Sequence, residues 1–171
     1  MARTEAIYQL LDTVGDRSGE TNAIGNYSLS TTGFKFKPIK GIALIERMII
    51  GIEDQGSMDS GAYGNGLGLV SGIRLYLRSA DDSILEEFTA FPIRTNGEWA
   101  MHCHDVTRHA WGAGNEVLSI RWTFSKAGQP IAIDHRKGEY LEVGLEDNFS
   151  NLIKHTFFIQ GKYKTIPERL G

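Results

Sequence analysis

The sequence predicts an all-β protein, an antiparallel β-sandwich of the jelly-roll type with a short N-terminal arm or helix. Two observations support this fold class. Apolar and polar residues alternate over several short segments, and turns rich in glycine, asparagine and aspartate separate these segments. Strict alternation is typical of a strand with one buried face. Short strands with frequent turns are typical of sandwiches and barrels.

Length and composition predict one ordinary globular domain. The chain has 171 residues, a formal charge of −3, 41% apolar residues and 23% charged residues. A chain of this length buries about 70% of its unfolded surface, so it needs no metal or disulfide to hold its core. Cys103 is the single cysteine, which excludes an internal disulfide.

The charge balance argues against a nucleic-acid partner. Phosphate binding needs a basic patch, whereas this chain has 18 Lys and Arg against 21 Asp and Glu. We also expect no membrane contact, because no apolar run reaches the length of about 18 residues that a spanning helix needs. The first residues lack the apolar segment of a secretory signal peptide.

The N-terminal segment fits two structures. Four apolar residues recur at the spacing of one face of an amphipathic helix: Ile7, Leu10, Leu11 and Val14. Thr4 is a suitable N-cap for such a helix, but the same stretch also fits an extended arm. We therefore divide the chain into an N-terminal arm, residues 1–22, and a single β-sandwich domain, residues 23–171.

Alternation predicts the strands of the sandwich. Seven side chains from two segments are expected to point into one core: Ile73, Leu75, Leu77, Leu118, Ile120, Trp122 and Phe124. Two further alternating strands are predicted at residues 140–145 and 155–163. Residues 42–52 are rich in isoleucine and predict a strand buried on both faces. Weaker strand patterns cover residues 29–36 and 98–103.

Turn-forming residues separate these strands. Asn96-Gly97 favours a type I′ hairpin turn, because both central residues of that turn need positive φ. Residues 147–153 predict a corner that leads into the last strand. The longest stretch without a strand pattern, residues 54–71, is rich in glycine, and a loop of that length in a compact domain is usually functional or flexible.

The sharpest chemical pattern is the pair His102 and His104. On a strand, residues i and i+2 face the same way, so both imidazoles would reach one ion. The pair resembles the first metal motif of cupins, but a cupin also has a glutamate a few residues later and a second histidine motif. The next glutamate, Glu116, is too far along the chain. The simpler interpretation is a polar strand face with two solvated histidines.

Other catalytic and ligand-binding patterns are incomplete. The glycine-rich loop has no G-x-G-x-x-G register, and no serine lies in a G-x-S-x-G elbow. Asp54 and Asp59 supply too few oxygen ligands for a calcium site. Cys103 fits a small apolar core residue better than a nucleophile. We therefore expect no catalytic residues, no cofactor and no bound metal.

Four stretches of the sequence together carry a resemblance to a known class of proteins. They are residues 11–16 with 41–54; Pro92-Ile-Arg-Thr-Asn96 with Trp99 and His104-Asp-Val106; residues 117–128, including Arg121-Trp-Thr-Phe-Ser-Lys126; and Lys137-Gly-Glu-Tyr-Leu-Glu-Val143 with Asp147-Asn148 and Phe158-Ile-Gln-Gly161. The whole resembles the small β-sandwich virion proteins that tailed bacteriophages and prophages encode. The likeness extends over most of the chain.

The resemblance implies a non-enzymatic structural protein of the virion, such as a capsid decoration or cement protein that docks on the head lattice. The implied partners are copies of this chain, with trimers suited to three-fold positions, and the major capsid protein or other virion proteins. The implied localisation is the virion, after assembly in the host cytoplasm, which agrees with the lack of disulfides. Two alternatives stay open. One is a tail or receptor-binding accessory protein that contacts host glycans, and the other is a cupin-like protein with a metal on His102 and His104.

The N-terminal segment is the predicted contact with a neighbouring subunit or the capsid. Its candidate contact residues are Ile7, Tyr8, Leu10, Leu11 and Val14. An isolated helix of this length is marginal in water, so it needs a surface to lie on. The intramolecular alternative is that this segment covers one sheet of its own sandwich.

Overall fold

The computed structural model describes residues 4–14, 34–103, 105–111, 114–124, 129–149 and 152–164. Within these ranges the chain forms ten strands, one α-helix and a 3-10 helix at His135–Lys137. The strands are β1 (Thr4–Val14), β2 (Lys35–Phe36), β3 (Ile42–Gln55), β4 (Arg74–Arg78), β5 (Ile84–Glu87), β6 (Asp105–Trp111), β7 (Asn115–Thr123), β8 (Ile131–Asp134), β9 (Tyr140–Gly144) and β10 (Lys154–Lys164). The helix α1 spans Asn96–His102.

The strands form two antiparallel sheets. The large sheet has the order β1-β10-β3-β7-β6, and β8 pairs with the first part of β3. The small sheet has the order β2-β9-β4-β5. Apolar side chains from both sheets form one hydrophobic core. The predicted all-β antiparallel sandwich is therefore confirmed, and its jelly-roll type stays a prediction.

The core contains all seven side chains that the alternation placed there. Each of them is at most 9% exposed, and all belong to the same cluster. The Trp122 ring contacts Trp99 and Phe124, with centroid separations of 6.3 and 5.2 Å. Alternation predicted these strands correctly because every second side chain of each segment is apolar and packs into the core.

The N-terminal segment is a strand, so its helical interpretation was wrong. β1 pairs antiparallel with β10, from Thr4 opposite Lys164 to Val14 opposite His155. Ile7 and Leu11 lie four residues apart, a spacing that puts two side chains on one face of a helix and also of a strand. The pattern could not separate the two structures, and the pairing with β10 decides between them. The boundary predicted at residue 22 lies outside the described residues.

The helix α1 replaces two sequence predictions, a weak strand at 98–103 and a hairpin turn at Asn96-Gly97. Thr95 is its N-cap, and the Thr95 hydroxyl accepts a hydrogen bond from the N–H of Glu98 at 3.3 Å. Thr followed three residues later by Glu is a capping-box pattern, which outweighs the turn preference of Asn-Gly. Asn96 is buried, and its side-chain oxygen accepts from the Gly64 N–H at 2.8 Å. This bond ties the helix to the glycine-rich loop.

The glycine-rich loop between β3 and β4 is held by hydrogen bonds to a buried carboxylate. The buried carboxylate of Asp147 accepts hydrogen bonds from three successive backbone N–H groups, those of Val70, Ser71 and Gly72, at 2.6, 3.2 and 2.9 Å. Gly72 has φ +84°, and a Cβ at this position would lie 2.6 Å from the Cβ of Pro92. The end of the loop is therefore fixed against the segment that precedes β10.

Candidate interaction surface

Exposed apolar residues on the outer face of the large sheet form the candidate interaction surface. Tyr8 and Leu10 of β1 are 70% and 47% exposed. The register places Leu10 opposite Phe158 of β10, and Phe158 opposite Ile49 of β3, so these side chains share one face. The rings of Tyr8 and Phe158 pack with centroids 4.2 Å apart. Tyr8, Leu10, Phe158 and Ile49 are called the apolar stripe below.

The five residues predicted to contact a partner differ in their exposure to solvent. Tyr8 and Leu10 face solvent, whereas Ile7 and Leu11 are buried in the core of their own sandwich. Val14 pairs with His155 through its backbone, and its side chain lies outside the described part of the chain. The intersubunit contact stays a prediction for Tyr8 and Leu10, while Ile7 and Leu11 serve the intramolecular role.

Charged residues of both signs flank the apolar stripe. Lys162 pairs with Glu46 at 3.3 Å. Arg121 of β7 continues the row beyond Ile49. Exposed pairs of this kind contribute about 0–1 kcal/mol each, so they affect solubility and orientation more than stability.

β1 is also an edge strand of the large sheet. Within the described ranges, β10 is its one partner, so the other side of β1 presents backbone N–H and C=O groups. An irregularity interrupts the pairing between Leu10 and Asp12. Bulges and charged residues such as Glu5 are features that protect open edges from uncontrolled pairing.

His102 does not have the strand geometry on which the metal hypothesis depends. It is the last residue of α1. Its Nδ1 lies 3.1 Å from the carbonyl oxygen of Glu98, and its Nε2 lies 3.1 Å from the N–H of Ala90. A ring that donates through Nδ1 and accepts through Nε2 satisfies both contacts. His104 lies outside the described residues, and the residues that are described contain no group of three His, Cys, Asp or Glu that could hold a metal.

The aspartates considered for calcium bind the backbone of their own loop. Asp54 is buried and accepts from the N–H groups of Gln55 and Asn65 at 2.8 and 3.1 Å. Burial raises the pKa of Asp54. Asp59 accepts from the N–H of Gly61 at 2.8 Å. These carboxylates hold the loop in shape.

The thiol of Cys103 is buried at the end of α1. Burial, with a smaller effect of the Asp105 carboxylate, raises its pKa to about 12. The thiol therefore stays protonated at neutral pH, and only the thiolate is an effective nucleophile. This environment fits the predicted role as a small apolar residue.

His155 belongs to a buried polar cluster that sequence reasoning missed. Its Nε2 lies 2.9 Å from the Tyr63 hydroxyl, which accepts from Trp99 Nε1 at 3.3 Å. Phe157 packs edge-on against the imidazole, with centroids 4.4 Å apart. Burial lowers the pKa of His155 to about 3, so the ring is neutral. The inward position of residue 155 in the predicted strand 155–163 was the available signal.

Comparisons of the chain with protein-family models, curated proteins and solved structures found no match. In the described ranges no helix is long and apolar enough to cross a membrane. The candidate surface is therefore argued from the residues of this chain alone.

Proposed function

We propose that the chain is a non-enzymatic structural protein of a bacteriophage particle, most simply a capsid decoration protein that docks on the head lattice. The phage assignment depends on the resemblance carried by the four stretches named above. The observation that supports a structural role is the apolar stripe, which leaves Tyr8 and Leu10 in solvent on a sheet whose other face contributes to the hydrophobic core.

The apolar stripe has the properties of a docking surface. It lies on three hydrogen-bonded strands, so its side chains lose little backbone freedom when a partner covers them. Aromatic residues are enriched at the centres of protein interfaces. Burial of Tyr8 and Leu10 contributes on the order of 1.5–3 kcal/mol each before ordering costs.

The proposed partners are copies of this chain, with a trimer as the suggested form, and the major capsid protein or another virion protein. The proposed location is the virion. The glycan-binding alternative is less favoured, because the most exposed apolar side chains of the glycine-rich loop are Leu67 and Val70. Sugar rings stack on aromatic side chains, which these are not. The two hydrogen bonds of His102 argue against the cupin-like alternative.

Mass spectrometry of particles purified from the phage or prophage that encodes the chain tests this proposal. We expect the chain in every purified particle preparation, at a fixed ratio to the major capsid protein. Its absence from intact particles would contradict the proposal.

A double variant, Tyr8→Ser with Leu10→Ser, tests the apolar stripe. We expect at least a tenfold loss of particle occupancy, which corresponds to about 1.4 kcal/mol. The matched control is Ile84→Ser with Leu85→Ser on β5, because these two adjacent aliphatic residues are also exposed, at 52% and 51%. Equal occupancy for the stripe variant and the control would refute the role of the stripe and leave the particle assignment standing.

A further inference from the structure

Two aliphatic side chains of the glycine-rich loop are almost fully exposed. Leu67 is 91% and Val70 is 83% exposed. Leu69, which lies between them, packs against the core, and its N–H donates to the carbonyl of Arg94 at 2.8 Å. The loop therefore turns Leu67 and Val70 outward while Leu69 anchors it. Leu67 and Val70 are called the knob below.

Hydrogen bonds within the chain hold the backbone of the knob at Val70. The N–H of Val70 donates to the buried Asp147 carboxylate at 2.6 Å, and the carbonyl of Val70 accepts from Arg94 Nε at 3.0 Å. Both backbone groups of Val70 are thus bound. A preorganised loop pays a small entropic cost when it binds, and the Arg94 guanidinium is held next to the aliphatic pair.

A recess of about 470 Å³ opens at the side of the sandwich. It lies at the step between β7 and β8, which pair with successive parts of β3, and it faces the edge strand β5. Its apolar wall includes Phe88, Trp122 and Phe124, and the exposed carboxylate of Glu86 also lines it. Pockets that receive a ligand or an anchor group have volumes of about 300–1,000 Å³.

The knob and the recess are complementary in polarity and charge. The knob offers aliphatic side chains beside a cation, and the recess offers an aromatic wall beside an anion. We propose that Leu67 and Val70 of one copy insert into the recess of a second copy, with Arg94 of the first copy against Glu86 of the second. The occupant of the recess is thus a second copy of this chain.

This contact joins two different surfaces, so it is heterologous. Every copy has one knob and one recess, and such contacts close into rings or extend as arrays. The inference goes beyond the proposed function, because it concerns the purified chain and needs no particle. It also uses neither β1 nor the apolar stripe.

Charge reversal tests the polar part of the contact by sedimentation equilibrium of the purified full chain. We expect Arg94→Glu and Glu86→Arg each to weaken self-association by about tenfold or more, and the double variant to recover most of that loss. Far-UV circular dichroism and the denaturation midpoint identify any variant that does not fold. Association that is unchanged in both folded single variants would overturn the proposal, as would a wild-type chain that stays monomeric at about 1 mM.

A mixing experiment tests the apolar part and remains informative if a charge variant misfolds. Leu67→Asp damages the knob and keeps the recess, whereas Ala132→Trp fills the recess and keeps the knob, because Ala132 lines it with an exposed side chain. We expect each variant alone to be monomeric and their equimolar mixture to form a one-to-one dimer. Met101→Ser serves as the control, because Met101 is an exposed apolar residue of α1 outside the knob, the recess and the apolar stripe, and this variant should associate like the wild type. A mixture that stays monomeric, or association that is lost with Met101→Ser and kept with Leu67→Asp, would overturn the proposal.

Discussion

The outer faces of both sheets carry tyrosines, but these rings are buried on the small sheet and exposed on the large sheet. On the small sheet, Tyr76 and Tyr140 point outward from β4 and β9, yet they are only 6% and 3% exposed. Arg78 lies over the Tyr76 ring at 4.9 Å, and Lys35 lies over the Tyr140 ring at 5.3 Å. On the large sheet, Tyr8 is 70% exposed.

The small sheet covers its outer apolar surface with its own side chains. The aliphatic parts of Arg and Lys pack on the rings while their charged ends reach water or a carboxylate. Glu142, which is 2% exposed, lies between Arg78 and Lys35 at 3.0 and 3.5 Å. Among the residues that the structure describes, the large sheet has no such cover over Tyr8 and Leu10, so its outer face is the one that gains from a partner.

The largest expected loss of stability follows from breaking the buried ion pairs of the small sheet. Glu142→Gln should lower the free energy of unfolding by about 2–3 kcal/mol, because it leaves Arg78 and Lys35 without their shared counter-charge in a largely buried setting. The matched control is Glu46→Gln on the large sheet, whose pair with Lys162 is exposed, and the expected loss there is below about 1 kcal/mol. Urea denaturation at neutral pH measures both. Equal losses would show that the two faces do not differ in the way described.

We expect acid to lower the stability of the fold through His155, which lies on the inner side of the large sheet. The pKa of His155 is about 3 in the folded chain and near its usual 6.5 when unfolded. As the pH falls below 6.5, the unfolded chain binds a proton that the folded chain does not, so stability decreases towards pH 3. At pH 5 this linkage amounts to about 2 kcal/mol.

Denaturation of wild type and His155→Phe between pH 7.5 and 5 tests this assignment, because ordinary carboxylates titrate mainly below about pH 5. Phe fits the aromatic surroundings that Phe149 and Phe157 provide. The variant should show a smaller loss of stability over this pH range than the wild type. Parallel curves for the two proteins would assign the acid sensitivity to other groups.

The smallest expected effect distinguishes the tyrosine hydroxyls of the two faces. The Tyr140 hydroxyl donates to Asp82 at 2.5 Å, so Tyr140→Phe should cost about 1–2 kcal/mol. Tyr8→Phe removes a hydroxyl from an exposed ring and should change stability by less than about 0.5 kcal/mol. Thermal unfolding of the two variants side by side measures the difference. If Tyr8→Phe destabilised the protein as much as Tyr140→Phe, the Tyr8 hydroxyl would make a hydrogen bond that the described residues do not show, and the prediction would be contradicted.

Alternation in the sequence predicted several strands that bury one face. It did not reveal the four-residue strand β8, in which Ile131 and Ile133 are buried and Ala132 is exposed, and it did not reveal β5. The strand around Leu75 and the strand around Ile120 were recognised because their alternation reflects burial. All four residues of β5 are exposed, so burial imposes no alternation of apolar and polar residues on its sequence. Tyr76 lies between the inward residues Leu75 and Leu77 and points outward, but it is buried under Arg78, and the alternation gives no sign of that burial.

The candidate surface was predictable only in part. Tyr8 and Leu10 were identified as contact residues from the N-terminal pattern, although the helix, one of the two structures considered there, does not form. Ile49 and Phe158 complete the apolar stripe through the register of β1, β10 and β3, which depends on residues far apart in sequence. The recess needs the relative position of two sheets, and a single sequence contains no direct signal for that.

The pairing of β1 with β10 has a consequence for synthesis on the ribosome. About 160 residues of chain separate Thr4 from Lys164, which lies opposite it. At roughly 5–20 residues per second, the first strand is complete on the order of ten seconds before its partner emerges. During that interval β10, the partner of β1 within the described ranges, is absent, and β1 is open to pairing with the β10 of a neighbouring nascent chain. Polysomes that translate this message are therefore where strand exchange between copies would begin.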